Sequence, residues 1–235
     1  MLSLSFSGIR TGKYFRNMMI SPNKLIGSAV FRTMEALNGN TAFIEGARQY
    51  EFWPNCFKDG KLHLWHYPGT PNEIANILVQ VGKLLDGASL KFPAVLSYHP
   101  IRQDKGVPVD NHRYVDIVRY NLAIISPVRS NWTTEEREHY LFEPLVRPIN
   151  EAFIRQIKTS PAFHVDYGLR HDYYEVFTTG RSAETVHKLY GDYIDAIELH
   201  DLSLTLRPSL CNAVIERMYE ENDLVTDNIE TLLKY

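Results

Sequence analysis

Apolar residues recur at helical spacing in two stretches of the N-terminal part of the chain. One begins at the capping box Thr70-Pro71-Asn72-Glu73 and ends at Asp86-Gly87. Its apolar face consists of Ile74, Ile77, Leu78, Val81, Leu84 and Leu85. The other begins at Ser21-Pro22, where a capping residue precedes a first-turn proline, and it ends at Asn38-Gly39-Asn40. Each pattern predicts a helix with its own start and stop signals.

Alternation of apolar and polar residues predicts the strands. Over residues 114–126 the apolar series Val118, Tyr120, Leu122, Ile124 alternates with Arg119 and Asn121, so these two are expected on an exposed or contact-making face. Further strands are expected over residues 41–53, 61–67, 92–99 and 193–207. The polar residues 100–112 are expected to form a long hairpin loop. Over 193–207 the alternation changes parity at His200-Asp201, which predicts a β-bulge.

Two prolines interrupt a third helical stretch. It begins at the cap Thr133, with Glu136 as the reciprocal partner. A proline inside a helix lacks an N–H and clashes with the preceding turn, so Pro144 is expected to split the stretch. We expect one helix over residues 134–142 and a second, differently aimed helix from near Pro144 onwards. Leu145, Ile149, Phe153 and Ile157 form its apolar stripe.

The order of these elements indicates the fold class. Strands follow one another through short or hairpin connections, and helices do not alternate strictly with them. This pattern is typical of an α+β fold, with an antiparallel β-sheet and helices packed on one face. The sequence contains no internal repeat and no low-complexity segment.

The charges are unevenly distributed, although the composition is ordinary for a globular protein, with 44% hydrophobic residues and a net charge of −3. Residues 1–34 contain five basic and no acidic residues, whereas residues 216–235 contain six acidic and two basic ones. Both ends can be solvated arms, or the basic arm of one copy can lie on the acidic end of another. We divide the chain into an N-terminal arm and extension (1–70), an α+β core (71–207) and a helical acidic C-terminal segment (208–235). No stretch has the roughly 20 apolar residues of a membrane span, and no membrane contact is expected.

Common catalytic and phosphate-binding motifs are missing: the sequence has no GxSxG, HExxH, GxxxxGK[ST] or GxGxxG. The best candidate for a metal site is the cluster His164, Asp166, His171 and Asp172, because imidazole and carboxylate suit zinc or iron. The same cluster can also be a polar loop at a subunit contact. Cys56 and Cys211 match no metal spacing and are interpreted as isolated core thiols, with a Cys–His pair through Cys56 as a weaker alternative. We expect no enzymatic activity and no cofactor, with a metal-assisted hydrolase built on the cluster as an alternative.

A nucleic-acid-binding module is the other alternative. Arg10, Lys13 and Arg16 lie close to Tyr14 and Phe15, and such a combination can neutralise phosphates and stack on bases. Binding through this segment is expected to depend steeply on salt.

Five segments carry a resemblance to a known family. They read EIANILVQVGKLLDG, KFPAVLSYHPIRQDKG, YVDIVRYNLAIIS, NWTTEEREHYLFEPLVRPINEAFIRQI and, later, YGDYIDAIELHDLSLTL. Their order resembles that of tail-terminator and head–tail connector (neck ring) proteins of tailed bacteriophages, in particular those of crAss-like and related Bacteroides phages. The resemblance covers residues 73–157 and 190–207, about half of the chain, and residues 1–70 depart from the family pattern.

The resemblance implies a tail-terminator-like core in a virion protein that is assembled in the host cytoplasm. Such a protein forms a homo-oligomeric ring of six or twelve copies around the DNA channel, without enzymatic activity. Its partners are itself and other neck, tail or portal proteins, and it contacts channel DNA at most non-specifically. Aromatic and arginine residues are enriched at contact surfaces. The candidate subunit-interface residues are Arg10, Lys13, Arg16, Trp65, Arg119, Trp132, Tyr173, Tyr174, Glu220 and Glu221.

Overall fold

The computed structural model describes residues 21–84, 91–110, 113–164 and 169–207. Its helical elements are α1 (Pro22–Asn38), α2 (Thr41–Ala47), α3 (Trp53–Cys56), α4 (Pro71–Val81), α5 (Thr134–Arg137), a π-helical segment (Glu138–Val146), α6 (Arg147–Thr159) and α7 (Gly180–Tyr190). Its strands are β1 (Phe57–Lys58), β2 (Lys61–Leu62), β3 (Trp65–Gly69), β4 (Ala94–Asp110), β5 (Arg113–Pro127), β6 (Phe163–His164), β7 (Arg170–Val176) and β8 (Ile194–Leu206).

Six strands form one mixed sheet in the order β3-β4-β5-β8, and β6 and β7 both pair with the outer edge of β8. The strand β3 runs parallel to β4, and the helix α4 forms the crossover between them. The other pairs of this sheet are antiparallel. The prediction of an α+β fold is therefore confirmed, and the prediction of a purely antiparallel sheet is wrong.

Helices lie against both faces of the sheet instead of the single face expected. On one face the Tyr120 hydroxyl donates a hydrogen bond to the carbonyl oxygen of Pro22, 3.0 Å away, at the start of α1. Tyr98 pairs with Asn121 and so points to the opposite face. There its hydroxyl contacts that of Tyr190, at the end of α7. The helix α7 packs beside α4 on this second face.

The prediction of a long hairpin loop is wrong, because β4 continues through these residues as far as Asp110. Its outer part pairs with the beginning of β5 through three shifts of register. Most side chains of the outer part are exposed or only partly buried. Polar residues are therefore tolerated there, and the alternation that identifies a strand with one buried face is missing.

The β-bulge predicted in the last strand is confirmed. Leu199 pairs with Leu122 and Leu202 pairs with Tyr120, so His200 and Asp201 together face Asn121. The backbone of Asp201 has a φ of 50°, and its N–H donates to the Asn121 side chain over 3.0 Å. The extra residue keeps the leucines on both sides of the bulge on the core face.

The helices beginning at Pro22 and Pro71 are confirmed, although α4 ends at Val81, before the predicted stop, and the side chain of Ser21 makes no capping hydrogen bond. Both capping boxes, at Thr70 and at Thr133, are also confirmed. The segment after Gly39 is not a strand, however. Asn40 accepts a hydrogen bond from the N–H of Phe43 and so caps the helix α2. Local capping therefore decides the conformation of this segment.

The third helical stretch is not split at Pro144. The chain passes from α5 through the π-helical segment into α6 with helical backbone angles at both junctions. Pro144 lies inside the π-helical segment, whose wider turns pair residues five apart, as from the N–H of Arg147 to the carbonyl of Phe142. The changed register accommodates the proline without ending the helix.

One hydrophobic core joins the helices α1, α4 and α6 and the π-helical segment to the strands β4, β5 and β8. The described residues of the N-terminal extension also contribute to it, for example Ile26 and Leu62. The proposed division into three parts stays a prediction. Among the described helices, none combines the length and the apolar character needed to cross a lipid bilayer.

Candidate interaction surface

The strand β7 forms one lateral edge of the sheet and carries two of the predicted interface residues. The side chains of consecutive strand residues point to opposite faces, and Tyr173 and Tyr174 are 42% and 50% exposed. Asp172 is also exposed. Both faces of this edge strand are thus accessible around its centre.

The part of the second sheet face that α4 and α7 leave open is strongly polar. Next to Tyr174 it carries Glu198 and His200, whose side chains are joined by a hydrogen bond of 2.8 Å. The rings of Tyr174 and His200 meet edge to face, with centroids 5.2 Å apart. Together with Glu175, Val176 and Phe177 these side chains line a shallow depression.

Further along the same face lies a cluster of arginines and an aspartate. Arg119 points outwards as predicted, its side chain is 40% exposed, and its Nε lies 3.3 Å from an oxygen of Asp104. Asp104 also accepts a hydrogen bond of 2.9 Å from Arg102. These exposed pairs are worth little in the isolated protomer, so the arginines retain capacity for other partners.

An ion-pair network, which the sequence did not suggest, holds β7 against α6. The guanidinium of Arg147 donates to both carboxylate oxygens of Glu175 over 2.7 and 2.8 Å, and it also pairs with Glu138. The Tyr173 hydroxyl donates to Glu175 as well, over 2.5 Å. Hydrogen bonds from Arg147 lower the pKa of Glu175, and burial together with the bond to Glu175 raises the pKa of Tyr173 to about 12. The inner face of the edge strand is therefore fixed.

A second, buried network fixes the chain just after β7. Asp195 on β8 accepts hydrogen bonds from the N–H and the hydroxyl of Thr178, at 2.8 and 2.9 Å. It also pairs with Arg137, which lies completely inside the protein. Burial raises the pKa of Asp195, and the hydrogen bonds and the charge of Arg137 oppose that rise. No sequence motif indicated this pair, because its members are far apart in the chain and lie in different elements.

The two predicted interface tryptophans lie elsewhere. Trp132 is only 9% exposed and packs between the rings of Phe52 and Tyr140, so within the protomer it is a core residue. Trp65 lies on β3, at the opposite edge of the sheet, and is partly buried against the core. The structure therefore places Tyr173 and Tyr174 on β7 and Arg119 on β5, with β8 between the two strands, and it separates both tryptophans from them.

The remaining predicted interface residues, Arg10, Lys13, Arg16, Glu220 and Glu221, lie outside the described residues. The same holds for both extended arms, for Cys211 and for Asp166. The role of all ten candidate residues in subunit contact stays a prediction.

Three members of the candidate metal cluster are described. Nδ1 of His164, on β6, accepts a hydrogen bond of 3.1 Å from Nε of Arg207. His171 and Asp172 are consecutive on β7, so their side chains point to opposite faces. Within the described ranges, no three metal-ligating side chains are grouped so that they could hold an ion.

Cys56 is a buried free thiol, as predicted. It contacts the hydroxyls of Tyr50 and Ser126, and burial raises the pKa of the thiol. A raised pKa disfavours the thiolate, which is the nucleophilic form. A role in packing suits this position better than a Cys–His pair.

With this geometry in place, the chain was compared with known proteins. Neither the family models, nor the curated proteins, nor the solved structures contain a match to it.

Proposed function

We propose that this chain is a structural subunit that assembles with copies of itself into a ring in the neck or tail of a tailed bacteriophage. The proposal of self-assembly rests on the two lateral edges of the sheet, which differ from each other. The sheet ends in β3 on one side and in β6 with β7 on the other. Head-to-tail contact between unlike surfaces closes into a ring when the rotation between copies allows it.

The composition of the β7 side supports a contact surface. Exposed tyrosines flank an edge strand, and the adjacent open face carries arginines. Tyrosine and arginine are the residues that most often dominate binding energy at protein interfaces. The ion pairs of Arg147 hold this surface in place before any partner arrives.

The bacteriophage half of the proposal rests on the sequence resemblance. The segments that carry the resemblance correspond to α4, the β4–β5 hairpin, the helical stretch from α5 to α6, and β8. These are the elements that build the sheet and its main covering helices. In such a ring the protein would join neighbouring rings around the DNA channel.

The two halves are tested separately. For self-assembly, the purified full chain is analysed by native mass spectrometry and by electron microscopy with rotational averaging. A single closed ring species is expected, and a monomer at every concentration up to about 1 mM, a very weak affinity, would contradict the proposal. For the virion assignment, peptides of the chain are sought in purified phage particles; their absence from particles of the phage that encodes it would contradict that half.

A further inference from the structure

Of the two lateral edges of the sheet, β7 is the one open to pairing. It has seven residues without proline or glycine, whereas β3 has five residues that include Pro68 and Gly69. Over the described part of the chain, β7 pairs only with β8. Shortness, proline and charged side chains protect an edge. β7 has neither of the first two, so it presents unpaired N–H and C=O groups, and its Arg170 and Asp172 restrict pairing to a strand of matching charge. The free side of β7 is therefore suited to receive a strand.

The edge is also prepared for such pairing. Arg147 fixes Glu175 from the inner face, and Asp195 fixes Thr178 directly after the strand. A segment that is already ordered loses less conformational freedom when a partner binds. The exposed Tyr173 and Tyr174 provide apolar contact on both faces of an added strand.

A segment of suitable pattern lies near the start of the chain, outside the described residues. Residues 2–7 read LSLSFS, so Leu2, Leu4 and Phe6 alternate with serines. This is the period of a strand with one apolar and one polar face. The residues that follow include Arg10, Lys13 and Arg16, and no acidic residue occurs before Glu35.

The surface beside β7 has the complementary charge. Asp172 and Asp201 are exposed on the open face, and the side chain of Glu198 is 33% exposed between them. Arg170 is the basic residue of β7 on the same face. The three carboxylates lie beside the centre of β7, whereas Arg170 and, across Ser203, Arg119 lie level with its first residue. Only the centre of this edge therefore favours a basic segment.

The position of α1 relates this segment to a neighbouring copy. Its first residues contact β4 and β5, where Asn23 lies 3.0 Å from His99, and the helix also packs against β3. The chain before α1 therefore joins the body nearer the β3 edge than the β7 edge. If the copies of a head-to-tail ring meet through the two edges of the sheet, the β3 side of one copy faces the β7 side of the next.

We propose that residues 2–7 of one copy add a strand to the free edge of β7 in the next copy. Arg10, Lys13 and Arg16 follow the added strand, within the electrostatic attraction of Asp172 and Glu198 of that neighbour. Hydrogen bonds of the added strand supply affinity, and the alternating leucines and tyrosines set its register. This inference rests on the self-assembly proposed above and names the contact that closes the ring.

The first test is disulfide cross-linking in the full chain with Cys211→Ser. Tyr174→Cys is combined with a cysteine placed in turn at each position from 3 to 7, because neighbouring strands bring Cα atoms within the 4.4–6.8 Å that a disulfide typically needs. A ladder of covalent oligomers, strongest at alternate positions, is expected in non-reducing gels. A disulfide within one chain would show that the segment pairs with β7 of its own copy. If no position forms a disulfide, the segment does not reach β7. Either result overturns the inference. Leu189→Cys on α7 replaces Tyr174→Cys as the matched control, and no ladder is expected from it.

The second test measures assembly without cross-links. Leu4→Pro removes one strand N–H, and it is expected to raise the protein concentration at half-assembly at least about tenfold while leaving the Tm unchanged. Thr11→Pro, outside the alternating segment, is the control and should assemble like the original chain. If the original chain assembles and Leu4→Pro assembles equally well, this inference is wrong and the proposed function stands. If the original chain stays monomeric, both are wrong.

Discussion

The ion pair between Arg137 and Asp195 lies inside the core, so removing one partner should cost far more than removing both. Both side chains are 0% exposed, and Nη1 of Arg137 lies 2.5 and 2.6 Å from the two carboxylate oxygens. Leaving one buried charge unpaired costs about 3–5 kcal/mol, whereas replacing both charges is often close to neutral. Arg137→Met and Asp195→Asn should each lower the free energy of unfolding by about 3–5 kcal/mol. The double variant should lose only about 1–2 kcal/mol, because the amide oxygen introduced by Asp195→Asn still accepts the N–H of Thr178 and mainly the bond to the Trp132 carbonyl is lost.

The cost of Arg137→Met should depend on pH, because a proton can neutralise the unpaired carboxylate. Burial raises the pKa of Asp195 already, and the loss of the guanidinium charge removes one of the effects that oppose this rise. An aspartate in the unfolded chain has a pKa of about 3.9, so above that pH the folded variant binds more protons than the unfolded chain. The variant then loses about 1.4 kcal/mol of stability per pH unit until the pH reaches its folded-state pKa, and up to about 2.7 kcal/mol between pH 5 and pH 7. The deficit of Asp195→Asn should not grow over this range, because the amide does not titrate.

Urea unfolding of the four proteins at pH 5, 6 and 7 measures these differences, with tryptophan fluorescence as the signal. Trp132 is a suitable reporter, since its indole is buried in the folded protein and becomes exposed to water on unfolding. Three results would each refute the reasoning: single substitutions that cost less than about 1 kcal/mol, a double variant as unstable as the sum of the two, or a pH-independent deficit in Arg137→Met.

Three smaller perturbations test other parts of the structure. Burial lowers the pKa of His66 to about 4, so the free energy of unfolding should rise by up to about 3 kcal/mol from pH 4 to pH 6.5. In His66→Gln, which keeps a hydrogen-bond partner for Ser97, this pH dependence should disappear. Urea midpoints across that range measure both proteins. Thr70→Ala removes a helix cap and should cost about 1 kcal/mol in chemical denaturation, with Thr70→Ser close to the original chain. Tyr174→Ala should change protomer stability by less than about 0.5 kcal/mol yet weaken self-association in sedimentation measurements; unaltered association would argue against the β7 side as a contact.

The features predicted correctly from the sequence are those whose residues all lie within a few positions of one another. The capping boxes at Thr70 and Thr133 contain both of their partners, and the parity change at His200 records the bulge directly. The outer part of β4 and the strand β7 were missed because both are exposed on both faces, and strands of that kind show no alternation. The parallel pairing of β3 depends on where α4 places β4, which is a property of the assembled sheet.

The candidate surface was predicted only in part for a similar reason. Tyr173 and Tyr174 are exposed on β7, in a segment whose sequence matches no buried stripe. Trp132 also lies outside the predicted stripes, yet it is buried, because its partners Phe52 and Tyr140 come from other segments of the chain. Residue type indicates a capacity for contact, and only the tertiary fold decides whether that contact is made within the protomer.

The bulge at His200 and Asp201 also constrains how the gene can change in length. Leucines on both sides of the bulge share one face only because an additional residue separates them. Loss of a single codon there would turn Leu202, Leu204 and Leu206 outwards together, whereas an exchange of the exposed His200 leaves the phase of the strand intact. Descendants of this sequence should therefore show substitutions at this point but no single-residue insertions or deletions.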